Sequence, residues 1–242
     1  MRKAKTEEEL KDDLSNYNAD QYKKPSVTVD ICICTIVDKS LKILLIKRKF
    51  PPFRDCWAIP GGFLDLNLNE TLEEAAAREL REETSLENIY VEQLKTYGDP
   101  ERDPRTRVVT VTYFALVPWT DALKTSVEAR DDAKEYRWFD LRYGVPPGIA
   151  FDHAKILGDL LNRLVGKLSY SPIAFSLLPK KFTWTELQSV YEVILGRKLV
   201  APNFRRKIKG MYNIKESANF QRALKPGRPS TYLVLGKKKE AY

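Results

Sequence analysis

The chain has 242 residues, enough for one large domain or two ordinary ones, and an apolar content of 43% that supports real hydrophobic cores. No run approaches the ~18 consecutive apolar residues of a membrane-spanning helix, so we expect no membrane partner. The N-terminus is charged and lacks an apolar signal core, which predicts a cytoplasmic protein. The formal net charge is +8.

The three cysteines, Cys32, Cys34 and Cys56, do not indicate a disulfide framework or a zinc site. Their number is odd, and the chain contains a single histidine, so a zinc ion would lack ligands. We therefore expect free thiols in a reducing compartment.

Charge is unevenly distributed along the chain. Residues 171–242 contain 15 Lys and Arg against 4 Asp and Glu, whereas residues 1–170 contain 26 against 29. This asymmetry predicts two domains with different partners, and a basic module often binds phosphates; a lysine-rich solvated domain is the alternative. We place the boundaries at a charged N-terminal segment (1–24), a first domain (25–150), a connecting helix (151–170) and a second domain (171–242).

The first domain is predicted to be a sheet interrupted by one long helix. Apolar and β-branched residues predict a hairpin from "SVTVDICICTIV" and "LKILLIKRKF" around a "DKS" turn. The stretch "PPFRDCWAIPGGF" predicts a loop, and Thr71–Thr84 predicts a helix that begins with the capping box Thr71-x-x-Glu74. Further strands are expected in "IYVEQLKTYGD", "RVVTVTYFALVPW" and "KEYRWFDL". This order indicates an α/β or α+β class.

The predicted helix concentrates carboxylates on one face. Glu79, Glu82 and Glu83 have the spacing i, i+3, i+4, and such neighbours repel one another. A divalent cation would explain the cluster, and carboxylate oxygens suit Mg²⁺ or Mn²⁺. Arg78 lies four residues from both Glu74 and Glu82 and is expected to pair with them.

The run from Gly62 through Glu70 to Arg78-Glu79-Leu80-x-Glu82-Glu83 resembles the Nudix box. The resemblance implies an α/β/α sandwich with a mixed sheet and a nucleoside diphosphate ligand linked to another moiety. It also implies that Glu79, Glu82 and Glu83 are metal ligands and catalytic residues, with the backbone around Gly62 completing the coordination. Two features depart from the box: seven residues separate Gly62 from Glu70 instead of five, and Ser85 replaces a glycine at the helix end.

A second segment, residues 98–116, resembles one found in Nudix proteins that handle ADP-ribose. Candidate ligand contacts are cations for the pyrophosphate and rings that stack on the base: Arg102, Arg105, Arg107, Lys47, Arg48, Trp57 and Phe53. The alternatives are a loop of surface arginines and, for Trp57, a place in the core. His153 stands alone at a helix start, which favours a packing or hydrogen-bonding role.

The second domain shows the element order of a winged helix-turn-helix. After the connecting helix "FDHAKILGDLLNRLVGKL" come an amphipathic helix ending at Gly196, a short basic helix with Asn203 as its expected N-cap, and two strands joined by a basic loop. Candidate DNA contacts are Asn203, Arg205, Arg206, Lys207 and Lys209 on the helix and Arg222, Lys225 and Arg228 in the wing. A protein-contact module is the alternative.

Together the two halves resemble the NrtR-type, Nudix-related transcriptional regulators. The resemblance implies a repressor of NAD metabolism genes that senses ADP-ribose or a related NAD metabolite. It also implies a homodimer on a palindromic operator in double-stranded DNA. Relatives of this architecture also regulate sugar catabolism. The competing interpretation is an ADP-ribose pyrophosphatase that gives AMP and ribose 5-phosphate, because all three box glutamates are retained.

Overall fold

The fold was analysed in a computed structural model that describes residues 6, 7, 11, 13, 15–86, 89–120, 123, 135–220 and 231–236. The strands are β1 (Ser26–Val37), β2 (Ser40–Lys47), β3 (Trp57–Ala58), β4 (Gly61–Phe63), β5 (Val91–Tyr97), β6 (Val108–Leu116), β7 (Tyr136–Asp140), β8 (Ile214–Phe220) and β9 (Thr231–Leu235). The α-helices are α1 (Leu72–Thr84), α2 (His153–Lys167), α3 (Trp184–Leu195) and α4 (Ala201–Met211). Two short 3-10 helices, Ala19–Gln21 and Pro172–Leu177, are additional to the sequence prediction. No described helix is long and apolar enough to cross a membrane.

A mixed sheet forms the centre of the first domain, as predicted. Its strand order is β3-β2-β1-β6-β5, with β4 also paired to β1 and β7 to β2. Strands β1 and β6 run parallel, and the other pairs are antiparallel. The predicted β1–β2 hairpin is confirmed: Val37 pairs with Ser40, and Asp38 and Lys39 both have positive φ angles, typical of a type I′ turn.

The loop prediction for "PPFRDCWAIPGGF" was partly wrong, because β3 and β4 lie within it. Strands of two and three residues are too short to show an alternation of apolar and polar side chains. The glycines and prolines of the stretch therefore led to the prediction of a loop. The pairing of β4 with β1 matters for function, since it brings Gly61 beside Asp30 and Gly62 beside Val29.

Helices cover both faces of the sheet and give the predicted α/β/α layering. On one face, Ala75, Ala76 and Leu80 of α1 join a core cluster with Ile31 and Ile33 of β1. The other face, which includes Cys32 and Cys34, belongs to a cluster with Ile156, Leu160 and Leu164 of α2. This second cluster continues without interruption into the winged helix, through Leu187, Phe204 and Leu233. The sheet of the first domain and the C-terminal module therefore share one core.

The ends of α1 follow the predicted chemistry. The Thr71 side chain accepts a hydrogen bond from the Glu74 backbone, and Glu74 Oε2 accepts from the Thr71 backbone at 2.7 Å, which completes the capping box. Ser85 adopts the left-handed conformation, with φ 55°, and its N–H donates to the Arg81 carbonyl. Serine thus serves as the C-cap in the place where the Nudix box has glycine, at a conformational cost.

The C-terminal elements have the predicted winged helix order, with one correction. Thr183 and Glu186 form a second capping box at the start of α3, and Gly196 ends α3 with φ 69°. Helix α4 begins earlier than expected: Val200 is its N-cap, so the assignment of Asn203 as the cap was wrong. Pro202 is well suited to the first helical turn, where its missing N–H is not needed. The wing residues Arg222, Lys225 and Arg228 lie outside the described residues.

The Thr183→Ala substitution should lower the free energy of unfolding by about 1 kcal/mol, because the buried Thr183 side chain accepts from the Glu186 N–H and thereby satisfies the first turn of α3. Chemical denaturation measures the change. Thr183→Ser keeps the hydroxyl and serves as the control. An alanine variant as stable as the serine variant would contradict the capping role.

Candidate ligand cleft, glutamate cluster and basic helix

A cleft of about 150 Å³ opens where β1, β4, the loop before β6 and the start of α2 meet. Its polar walls carry both signs of charge, with Asp30 and Asp103 opposite the guanidinium groups of Arg48, Arg102 and Arg105. The remaining lining residues are Thr28, Ile46, Ile59, Gly61, Gly62, Phe63, Val108, Phe151 and His153. A concave site with several arginines is suited to a phosphorylated ligand.

A buried charge network forms the floor of this cleft. Arg102 donates to both carboxylate oxygens of Asp152, at 3.2 and 2.9 Å, and lies 3.6 Å from Asp30 Oδ2. Asp30 also accepts from Thr110 Oγ1 at 2.7 Å. Burial raises the pKa of Asp30 to about 6. Asp152 is the N-cap residue of α2 but makes no side-chain cap bond, since Arg102 engages its carboxylate. The network therefore ties the cleft loop to the start of α2.

His153 is a structural member of the same floor. Its Nδ1 accepts from the Ile59 N–H at 2.9 Å, which places the proton on Nε2, 3.9 Å from Asp30 Oδ2. Burial lowers the pKa of His153 from 6.5 to about 3, so the ring is neutral at physiological pH. The predicted packing and hydrogen-bonding role is confirmed.

The predicted ligand contacts divide into two groups. Arg48 lies over the Phe151 ring and Arg105 over the Phe63 ring, and both line the cleft. The Arg105 guanidinium also donates to both carboxylate oxygens of Asp103, at 3.0 and 2.7 Å. Arg102 also lines the cleft, but its guanidinium is held by Asp152. The structure does not bring the other four to this cleft: Lys47, Phe53, Trp57 and Arg107 are absent from its lining.

Trp57 packs against the hydrophobic core, which was the alternative to its predicted role in stacking on a base. Its ring packs edge-on against Phe139 at 4.8 Å, with Lys47 and Arg137 over it. Phe53 likewise packs against Phe151, at 4.9 Å. Asp30 was not among the predicted site residues. Its place inside the apolar run "SVTVDICIC" was a usable signal, because burial of an unpaired charge is costly.

Arg78 is the centre of the glutamate cluster. It donates to both oxygens of Glu70, at 3.0 and 2.8 Å, to Glu79 at 2.9 Å and to Glu82 at 3.3 Å. The expected pairing with Glu82 is therefore present, whereas Glu74 serves the capping box instead. Because Glu79 and Glu82 both meet Nη1 of Arg78, these two carboxylates converge on one point of positive charge.

Gly62 lies directly against Glu79. A Cβ atom at Gly62 would lie 2.6 Å from Glu79 Oε1, so only glycine leaves room for this carboxylate beside β4. Burial raises the pKa of Glu79. The donor set suits a divalent cation in type and charge, yet within the described residues no three Asp, Glu, His or Cys side chains converge as a preformed metal site. The predicted trio Glu79, Glu82 and Glu83 is thus clustered on α1 without metal-ready geometry.

Helix α4 presents its basic residues to solvent. Phe204 and Ile208 face the core, whereas Asn203, Arg205, Arg206, Lys207 and Lys209 are exposed. Arg205 and Lys209 both lie over the Trp184 ring, at 5.8 and 5.7 Å from its centroid. Arg206 follows Phe204 by two positions, about 200° around the helix, and so faces away from the core. Its guanidinium donates to Asn203 at 3.3 Å.

Residues 26–160 match the NUDIX domain family, and residues 174–233 match the family of the NrtR DNA-binding winged helix domain. The chain belongs to the Nudix family. Its Nudix domain carries an NrtR-type winged helix, as the two halves of the sequence had indicated.

Three relatives represent the matches to this Nudix chain. The "ADPR responsive transcriptional repressor NtrR" of Acinetobacter baylyi is 38% identical over 195 residues, 81% of this chain and 76% of the relative. The "ADP-ribose pyrophosphatase" of Methanocaldococcus jannaschii is 42% identical over 152 residues, 63% of this chain and 81% of the relative. The crystal structure of Shewanella oneidensis NrtR complexed with a 27mer DNA has a TM-score of 0.76 and 33% identity, covering 87% of this chain and 93% of that one.

His153 should make this Nudix domain sensitive to acid. Its folded pKa of about 3 lies below the ordinary 6.5, so its contribution to stability is complete above pH 6.5 and is lost as the pH falls towards 3, because the unfolded chain binds the proton first. For this group alone the slope approaches about 1.4 kcal/mol per pH unit. Asp30 opposes it, because its raised pKa favours the fold at low pH.

The test compares unfolding free energies of wild type and His153→Asn between pH 8 and about 5. Asparagine retains an acceptor for Ile59 but does not titrate, so the stability difference between the two proteins should shrink on acidification. A difference that is constant across this range would contradict the assignment of a buried neutral histidine.

Proposed function

We propose that the chain is an ADP-ribose-responsive transcriptional repressor of NAD metabolism genes. The observation that carries the proposal is one core that joins an arginine-lined cleft to an exposed basic helix in a winged helix. The A. baylyi repressor and the DNA complex of S. oneidensis NrtR support the two halves of this function. We divide the chain functionally at residues 24, 150 and 170, as the charge distribution indicates.

ADP-ribose is assigned to the cleft beside β1 and β4. Arg48 and Arg105 supply positive charge for the pyrophosphate. Arg48 is half-buried and Arg105 is exposed, so a ligand can reach both. The Phe63 and Phe151 rings beneath them provide apolar surface for the rest of the ligand. Arg102 acts differently, since it connects the bound ligand to Asp152 at the start of α2.

Helix α2 is the route by which ligand binding reaches the DNA-binding module. Its first turn is attached to the cleft by Asp152 and His153, and its apolar face packs in the core that contains Leu187 of α3 and Phe204 of α4. A ligand that draws Arg102 from Asp152 shifts this helix and with it the module. Such a device needs a difference in ligand affinity between two arrangements of α2.

A divalent cation, Mg²⁺ or Mn²⁺, is proposed as a companion of the ligand. Nudix proteins generally use divalent metal ions, and Glu79, Glu82 and Glu83 are the residues that would hold one here. When bound, it would neutralise pyrophosphate charge beside Gly62. Arg78 supplies one positive charge to Glu70, Glu79 and Glu82, so this cluster keeps a net negative charge that favours a cation.

Hydrolysis of ADP-ribose to AMP and ribose 5-phosphate is the second candidate function. It is favoured by the retained box glutamates and by the 42% identity to the M. jannaschii pyrophosphatase. The two functions are compatible, because a sensor that slowly destroys its signal still responds to it.

Operator binding is assigned to α4 and the wing, with the chain acting as a homodimer on a palindromic site. The five exposed polar residues of α4 are its candidate contacts, and Arg222, Lys225 and Arg228 are those of the wing. Two-fold symmetric sites place half-sites about one helical turn apart or a multiple of it.

ADP-ribose should raise the melting temperature of the wild-type chain, because a ligand that binds only the folded state stabilises it by RT ln(1 + [L]/Kd). Arg105→Ala should lose much of this shift, since its guanidinium lines the cleft. Arg107→Ala, an exposed arginine outside the cleft, is the matched control and should keep it. Equal shifts in all three proteins would refute the role of Arg105.

Mn²⁺ titration tests the glutamate cluster separately from DNA binding. The Glu82→Gln/Glu83→Gln variant should bind Mn²⁺ more weakly than wild type by tenfold or more, because two anionic ligands are removed. AMP release from ADP-ribose, assayed in parallel, decides whether hydrolysis accompanies binding. Unchanged Mn²⁺ affinity in the double variant would remove the metal assignment.

Substitutions on α4 should separate base contacts from phosphate contacts. Arg206→Ala should cost roughly 1–3 kcal/mol and relax preference at one operator position, because Arg206 faces away from the core. Lys209→Ala should weaken binding to all sequences and flatten the salt dependence by about one unit. Footprinting upstream DNA with each variant provides the measurement. If both variants give the wild-type footprint, Arg206 and Lys209 do not contact the operator, and another part of the chain binds DNA.

A further inference from the structure

A second cleft, of about 280 Å³, lies at the junction between the Nudix sheet and the winged helix. One wall consists of the β1–β2 turn and the residues that follow β7, and the other of the end of α3 and the turn that leads to α4. Both walls contribute cations: Lys39 and Arg142 from the first, Arg197 and Lys198 from the second. This cleft is separate in lining from the ligand cleft described above.

The two carboxylates in this junction cleft already have hydrogen-bond partners within the protein, and both stay ionised. Asp140 accepts from the Ser40 hydroxyl and from the backbone N–H groups of Arg142 and Tyr143, both at 2.9 Å. Glu192 accepts from Gln188 at 2.9 Å, from the Leu199 N–H at 2.9 Å and from Lys198 at 3.0 Å. The four cations of the lining outnumber these two carboxylates, so the cleft keeps a net positive charge that attracts an anion.

Arg142 fixes the distance between the two walls. Its guanidinium donates to the carbonyl of Ile194 at the end of α3. A Cβ atom at Gly196 would lie 2.8 Å from Arg142 Cζ, so the left-handed glycine that ends α3 also makes room for this arginine. The cleft is thus a built junction between the domains.

Lys39 and Arg197 are the cations that remain available on the two walls. Both are exposed, and within the described part of the chain neither takes part in a salt bridge. Lys39 lies at the tip of a tight hairpin turn with φ 57°, which limits its backbone freedom. Arg197 lies only four residues before α4 begins.

We propose that the junction cleft binds phosphate groups, contributed by the backbone of duplex DNA or by a free pyrophosphate-containing molecule. For duplex DNA as the source of the phosphates, this inference rests on the DNA-binding function proposed above. Its cations adjoin the start of α4, where a duplex held by that helix brings its own phosphates. Lys39 then gives the Nudix domain a direct contact with DNA, and any bound phosphate bridges the two domains.

The first arm of the test measures salt-dependent binding of the full chain to a mixed-sequence duplex. Lys39→Gln and Arg197→Gln should each flatten the plot of log affinity against log salt by about one unit, because each contact displaces about one counterion. Lys39→Arg keeps the charge and should retain the slope. Lys23→Gln removes an exposed charge from the N-terminal segment and should also retain it.

The second arm titrates inorganic pyrophosphate by calorimetry without DNA, in the presence of saturating ADP-ribose to occupy the ligand cleft. Binding that is lost in both Lys39→Gln and Arg197→Gln, with unchanged DNA slopes, identifies free phosphate as the source. Flattened slopes identify the duplex. Melting curves confirm that each variant is folded, which is expected because both side chains are exposed.

Unchanged salt slopes together with unchanged pyrophosphate binding in both variants would refute phosphate binding by the junction cleft. That failure is distinct from failure of the proposed function. If the wild-type chain does not bind duplex DNA at low salt, the proposed repressor function is refuted. If the wild type binds DNA and both variants bind DNA and pyrophosphate as the wild type does, only the phosphate site in the junction cleft is refuted.

Discussion

The ion pair between Arg102 and Asp152 is the contact that attaches the ligand cleft to helix α2, whose apolar face lies in the core shared with the winged helix. Arg102 comes from the loop that lines the ligand cleft, and Asp152 is the residue from which α2 starts. Both charges are largely removed from water, with Asp30 and a neutral His153 beside them. Loss of Asp152 would leave the buried Arg102 with only its longer contact to Asp30, which weakens the attachment of the cleft loop to α2. The ion pair therefore holds the cleft loop against the first turn of α2.

A similar logic governs the Nudix box. Glu70, Glu79 and Glu82 share one guanidinium, Arg78, and the close approach of Gly62 to Glu79 keeps the cluster against the sheet. One guanidinium thus gives three of the carboxylates a partner within the fold. Retention of these glutamates therefore fits a regulator as well as a hydrolase.

Local signals in the sequence predicted most of the fold. The capping box at Thr71, the left-handed glycine at Gly196 and the hairpin at Asp38 each depend on residues close in sequence, and all three were found. The site was predicted less well, because spacing cannot show which arginine meets a carboxylate from a distant element. Arg102 pairs with a residue 50 positions away, and Trp57 joins a core made by β7. Asn203 failed as a cap because Pro202 allowed α4 to start one turn earlier.

The most direct test of this account measures how strongly ADP-ribose and DNA affect each other's binding when the Arg102–Asp152 contact is weakened. Operator affinity is measured with and without saturating ADP-ribose for wild type and for Asp152→Asn, which keeps size and hydrogen-bonding capacity. Coupling of 1–3 kcal/mol corresponds to a roughly 5–150-fold change in affinity, and the wild type should fall in this range. In Asp152→Asn both ligands should still bind, and the ratio should move towards one. A ratio equal to that of wild type, with both affinities intact, would contradict the claim that α2 connects the cleft to the DNA-binding module.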